Sequence, residues 1–121
     1  MSYLKNRFKA FVFAFSGLRL AFKSEINLQL QLIIAAFVIT AGIYLSITKN
    51  EWFAILLCIT LVISLEMFNS AIEKLCDLYT KEHNPKIKYI KDVCAGAVFI
   101  ASVFAAIIGA MVFWPYITRL I

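Results

Sequence analysis

Two stretches of this chain, Ile26 to Thr48 and Val93 to Thr118, run without a formal charge for longer than a water-exposed helix tolerates. Because an α-helix rises about 1.5 Å per residue, roughly 20 residues cross a bilayer core, and each stretch is long enough. A third stretch starts at Trp52 and stays apolar to Leu65. It reaches spanning length only by continuing through Glu66, Asn69 and Ser70 to Ile72. Backbone groups in lipid must be satisfied within the protein, which leaves helices or closed barrels, and no alternating pattern supports a barrel. The sequence therefore predicts an all-α integral membrane protein with transmembrane helices at 26–48, 52–72 and 93–118. Composition agrees, since 63% of residues are hydrophobic and 16% are charged, whereas soluble domains carry about 25% charged residues. At 121 residues the chain makes one domain, 1–121.

The basic residues orient these spans. Of the twelve, Lys5, Arg7, Lys9, Arg19 and Lys23 precede the first span, and Lys74, Lys81, Lys86, Lys88 and Lys91 lie between the second and third. Positive residues collect on the cytoplasmic side. The N-terminus and the 74–92 loop are thus expected in the cytoplasm, and the Lys49-Asn50-Glu51 turn and the C-terminus outside. Residues 1–24 read as an amphipathic surface helix, with Phe8, Phe11, Phe15, Leu18 and Phe22 on one side and Lys5, Lys9 and Lys23 on an adjoining stripe. Arg19 and Lys23 stand where a signal peptide would need small residues for cleavage, so this segment is expected to be retained. The net charge of +5 suits an anionic membrane surface, and no nucleic-acid partner is expected, because the bases are not interleaved with solvent-facing polar residues. Cys58, Cys76 and Cys94 form no CxxC pair and His83 is alone, which leaves no zinc or disulfide framework.

The second span carries what a membrane should exclude. Glu66, Asn69, Ser70, Glu73 and Asp77 recur at helical spacing and fall within roughly a 100° sector of one helix face. A carboxylate at the depth of Glu66 is costly unless paired, hydrated or protonated. Two plain structural roles are open: a packing face with Asn69 and Ser70 as interhelical glue, or solvated interfacial acids at Glu73 and Asp77. A functional role is also open, in which carboxylates two turns apart hold a divalent cation near the boundary while the deeper one takes a proton. Glu25, the only acid before the first span, is expected at the depth of Glu73 and would add a second carboxylate. Lys91 and Asp92 precede the third span, where a lysine either balances phosphate charge or snorkels as an anchor.

The segment Leu65-Glu66-Met67-Phe68-Asn69-Ser70-Ala71-Ile72-Glu73-Lys74-Leu75-Cys76-Asp77 resembles the E-x-x-N-[ST]-A-I-E motif, with an Asp four residues on, of the small integral-membrane diacylglycerol kinases and undecaprenol kinases of prokaryotes. The resemblance extends to Phe15-Ser16-Gly17-Leu18-Arg19, to Glu25, to Glu82-His83-Asn84-Pro85, and to Lys91-Asp92 before Ala95-Gly96-Ala97. It implies a homotrimer that uses ATP and Mg2+ to phosphorylate a lipid hydroxyl at sites shared between subunits. By motif position, Glu66 resembles the general base that also meets the lipid substrate, and Asn69 a residue supporting it. Glu25 and Glu73 resemble magnesium ligands at the nucleotide site. Phe13, Glu82, Lys91 and Asp92 resemble further nucleotide contacts, Lys91 towards the phosphates.

The chain also departs from that family. Gln29 stands where an arginine is common, Asn6 where a basic residue occurs, and His83-Asn84 where an aromatic-His pair is frequent. The acceptor reads as diacylglycerol or undecaprenol, and the His-Asn-Pro loop and the Glu51-Trp52 pair resemble undecaprenol-type members slightly more. No GxxxxGK[ST] or glycine-rich kinase loop is present, the four glycines being Gly17, Gly42, Gly96 and Gly109. Two other functions compete: an oligomeric ion- or proton-conducting protein with Glu66 in its pore, and a non-catalytic membrane scaffold in which Glu66→Gln is silent.

Overall fold

The computed structural model describes residues 1–121 as four helices: α1 (Ser2–Ser24), α2 (Ile26–Leu45), α3 (Lys49–Tyr79) and α4 (Pro85–Leu120). The last three are each long and apolar enough to cross a membrane. The protein is an all-helical, multi-pass membrane protein. α3 packs most extensively on α4 and less on α2, while α1 meets chiefly α2. Only 13 of the 121 residues are buried, so a single chain leaves most of its apolar surface for lipid or for other protein.

The connection between α2 and α3 is tighter than the sequence reading expected. α2 ends at Ser46, whose left-handed backbone (φ 53°) turns the chain so that the Ile47 amide bonds to the Gly42 carbonyl at 3.2 Å. Thr48 then caps α3: its hydroxyl accepts from the Glu51 amide at 3.2 Å, and Glu51 Oε1 accepts from the Thr48 amide at 2.9 Å. This reciprocal capping box draws Lys49, Asn50 and Glu51 into the first turn of α3. The turn is therefore at residues 46–48, and not at 49–51.

The basic 74–92 segment, expected as a loop, is also mostly helical. α3 continues to Tyr79, and α4 starts at Pro85 under an Asn84 cap that accepts from the Lys86 and Ile87 amides at 2.9 and 3.4 Å. Only residues 80–84 connect the two helices. Proline at the first helical position gives up an amide that would have no intrahelical partner, and α4 begins cleanly there.

At the α2–α3 turn an apolar cluster gathers Ile47, Ile55 and Val112, with Trp52, Ile108 and Phe113 against it. A Cβ on Gly42 would come within 2.8 Å of the Trp52 ring, which explains a glycine there: the indole lies directly on the α2 backbone. A cavity of about 410 Å³ between α2, α3 and α4, lined by residues such as Ala35, Ile59, Val62 and Ala105, is almost wholly apolar and holds none of the acidic residues singled out above.

Candidate active site

The polar stripe of α3 is graded by depth. Glu66, Asn69 and Ser70 are buried, at 6%, 8% and 8% exposure. Glu73 is half-buried and Asp77 exposed. Burial within a single chain comes from the neighbouring helices, and it leaves two polar atoms, Glu66 Oε2 and Asn69 Oδ1, without any partner. Native structures keep few such orphans, because each costs about 1–3 kcal/mol. Asn69 donates from Nδ2 to Glu73 Oε1 at 3.4 Å, so its one side-chain bond runs down the stripe to Glu73, and not up to Glu66.

Glu25 forms the joint between α1 and α2. Its extended backbone (φ −102°, ψ 113°) is at once the C-cap of α1 and the N-cap of α2. Its carboxylate faces α3, where Oε1 lies 3.1 Å from Lys74 Nζ. Because Lys74 follows Glu73 on α3, this pair brings Glu25 beside the stripe and draws together acids that the sequence separated by 48 positions. No group of three or more metal-ligating side chains closes within the chain.

Lys91 reaches across from α4 to Asp77 Oδ1 at 2.8 Å, tying the start of the third span to the end of the stripe. That bond lifts the pKa of the Lys91 ammonium, which precedes the membrane-crossing part of α4, above the ordinary lysine value. Asp92 turns the other way and pairs with Lys88. Glu82 is exposed in the α3–α4 connection, its amide bonded to Thr80 Oγ1 at 3.1 Å, and Phe13 is exposed on α1. Neither the Glu82 nor the Phe13 side chain is hydrogen-bonded or ion-paired to the stripe.

Two residues that the sequence reading did not place in the site are built into it. Lys74 is the bonded partner of Glu25; at 100° per residue it stands at the edge of the stripe, a signal that was present but easily taken for an ordinary basic anchor. Gln29 donates from Nε2 to the carbonyls of Phe22 and Lys23, at 3.1 and 3.2 Å. These are among the last carbonyls of α1, which no intrahelical amide satisfies. Gln29 thus pins the corner on which Glu25 sits, and the position where the family resemblance led us to expect an arginine is filled here by a donor turned on the backbone.

A carboxylate buried on a helix long and apolar enough to cross a membrane, with a free oxygen, beside a second pair of carboxylates and two lysines, is suited to accepting a proton next to a cation or a phosphate. A family model described as prokaryotic diacylglycerol kinase matches residues 12–113. The chain is 38% identical over 112 residues to undecaprenol kinase of Bacillus subtilis, a match covering 93% of this chain and 91% of that protein. It is 34% identical over 104 residues to a diacylglycerol kinase of Helicobacter pylori, covering 86% of this chain and 81% of that protein. With the polar stripe inside the matched residues and the relatives aligned along most of their length, this chain belongs to the prokaryotic diacylglycerol kinase family of lipid kinases.

Proposed function

We propose that the protein transfers the γ-phosphoryl group of ATP to the hydroxyl of a membrane lipid, diacylglycerol or undecaprenol, at the cytoplasmic face of the bacterial inner membrane. The observation that carries this reading is Glu66: it is 6% exposed, its Oε2 has no partner, and it lies within the matched family residues. A lipid hydroxyl arriving from the bilayer meets this carboxylate before any other acid of the stripe. Glu66 takes the hydroxyl proton as the lipid oxygen bonds to the γ-phosphorus, the bond to the ADP oxygen breaks, and ADP leaves. Proton removal by a positioned base and tight positioning of the two reactants are what phosphoryl transfer asks of a protein.

Glu25 and Glu73 would hold the magnesium ion. Mg2+ is commonly bound by one or two carboxylates, with phosphate oxygens and water completing its shell, and a pair of partly exposed acids below a buried third suits that habit. When bound, the ion neutralises charge on the phosphate oxygens. Asn69 steadies Glu73 through its amide and leaves Oδ1 free for a further donor. Lys91 supplies positive charge for the phosphates, with Asp92, Glu82 and Phe13 as the remaining nucleotide contacts. α1 lies on the inner membrane surface, with the N-terminus inside and the C-terminus outside, and three chains assemble around shared sites. The sparse burial of a single chain and the buried, unpartnered stripe atoms support such an assembly.

The test is transfer of labelled γ-phosphate from ATP to each lipid in mixed micelles with magnesium. The wild type is expected to label one or both lipids, and Glu66→Gln neither. No labelled lipid from a folded wild-type oligomer would refute the kinase assignment, and equal labelling by Glu66→Gln would refute the base.

A further inference from the structure

We infer that Lys74 is the resident cation of the acidic site, held on Glu25 until a divalent ion displaces it, so that this lysine sets the concentration at which the site loads with metal. The inference rests on the reading of Glu25 as a metal ligand, and it concerns regulation of that site.

The acids around the stripe are Glu25, Glu66, Glu73 and Asp77, and two lysines reach them. Lys91 is taken by Asp77 at 2.8 Å, which leaves Lys74 as the cation bonded to the inner group, 3.1 Å from Glu25 Oε1. One ammonium does not satisfy this end of the molecule: Glu66 is more than nine-tenths buried with Oε2 unpartnered, and Asn69 Oδ1 is equally bare. A doubly charged ion satisfies such a group better than a single lysine.

The pair is also built to exchange. The Lys74 side chain is 65% exposed and that of Glu25 only 24%, so the lysine swings into water on its flexible stem while the carboxylate stays at the α1–α2 joint. An ion pair with one partner this exposed is weak, and opening it costs little. The ammonium on Oε1 and a metal ion compete for the one negative charge of the Glu25 carboxylate, and whatever stabilises the lysine-bound state raises the apparent metal dissociation constant.

Manganese alone, followed by electron paramagnetic resonance on the full-length protein in detergent, reads this competition without turnover. Lys74→Met is expected to tighten manganese binding by about 2- to 5-fold, the scale of an exposed ion pair. Lys74→Arg, which keeps the charge, is expected to bind as the wild type does. Lys81→Met removes a charge from the neighbouring connection and is expected to change nothing, and in a Glu25→Gln background Lys74→Met is expected to lose its effect. If Lys74→Met leaves the dissociation constant unchanged while Glu25→Gln weakens binding, the competition is overturned and the metal site stands. If Lys81→Met tightens binding equally, the effect is bulk charge and the inference fails. Manganese binding that is absent, or indifferent to Glu25→Gln, overturns this inference and the metal assignment together.

Discussion

The two ends of the helical bundle are held by opposite means. At the α2–α3 turn, Ile47, Ile55 and Val112 pack together, Trp52 lies on Gly42, and the polar groups are satisfied: Thr48 and Glu51 cap each other, and the Tyr116 hydroxyl of α4 donates to Glu51. At the Glu73 end, four acids gather and two buried oxygens have no partner. The first end is consistent at every level, from cap to core. The second breaks the rule that buried polar groups are paired, and proteins tolerate such breaches where function needs them. One end keeps the helices together, and the other carries the acids proposed for phosphoryl transfer.

If that division is right, mutations should separate activity from stability according to the end they touch. The largest effect is expected from Glu66→Gln. Loss of a general base lowers the rate of lipid phosphorylation by about 100-fold or more, while removal of a buried, unpaired charge leaves the thermal midpoint in detergent unchanged or higher. A midpoint that falls along with activity would make Glu66 a structural residue and dissolve the comparison. Ile55→Ala should do the reverse. Ile55 is 2% exposed in the apolar cluster, and its truncation is expected to destabilise the fold by about 2–5 kcal/mol. Specific activity per folded molecule, measured well below the unfolding transition, should survive.

How much of each end was legible in the sequence follows from the range of the interactions involved. The three spans and the stripe from Glu66 to Asp77 are written along single helices, where hydropathy and a period of 3.6 are enough to find them. The turn at residues 46–48 was misplaced because Lys49-Asn50-Glu51 is polar and reads as a loop, although Thr48 followed three residues later by Glu51 is itself a capping-box pattern. Lys74 on Glu25 and Tyr116 on Glu51 join residues 49 and 65 positions apart. Pairings of that kind depend on how helices cross, which periodicity does not encode. Gln29 stands in the sequence only as a departure from a common arginine, whereas its partners are backbone carbonyls, which no residue pattern displays.

A smaller effect, at the Glu73 end, should come from Gln29. Its amide bonds only the Phe22 and Lys23 carbonyls, so it acts on the site through the corner that carries Glu25. Gln29→Ala and Gln29→Glu both remove the donor. Each is expected to raise the magnesium concentration needed for half-maximal rate by about 3- to 10-fold, the scale of one or two hydrogen bonds, with the rate at saturating magnesium largely kept. Gln29→Arg restores donors and is expected to recover the wild-type requirement. A uniform fall in rate at all magnesium concentrations would place Gln29 in the packing of the corner alone.

The smallest effect sharpens the other end. The hydrogen bond from Tyr116 and those from Thr48 hold the Glu51 carboxyl below its ordinary pKa of 4.5. A carboxylate depressed in the folded state contributes stability that is present above its unfolded pKa and is lost as pH falls through the folded value. The tie between α3 and α4 should therefore be fully in place at neutral pH and weaken as the medium is acidified below about 4.5. Because Glu51 lies at the aqueous boundary, the change in thermal midpoint between pH 6 and pH 3.5 is expected to be small. Tyr116→Phe, which keeps the ring and removes the donor, should flatten that dependence, and Glu51→Gln should abolish it. Lipid phosphorylation at neutral pH should be unaffected by Tyr116→Phe, since the hydroxyl it removes serves only the end of the molecule that holds the helices together; a loss of activity there would mean that the two ends are coupled through α3 and α4.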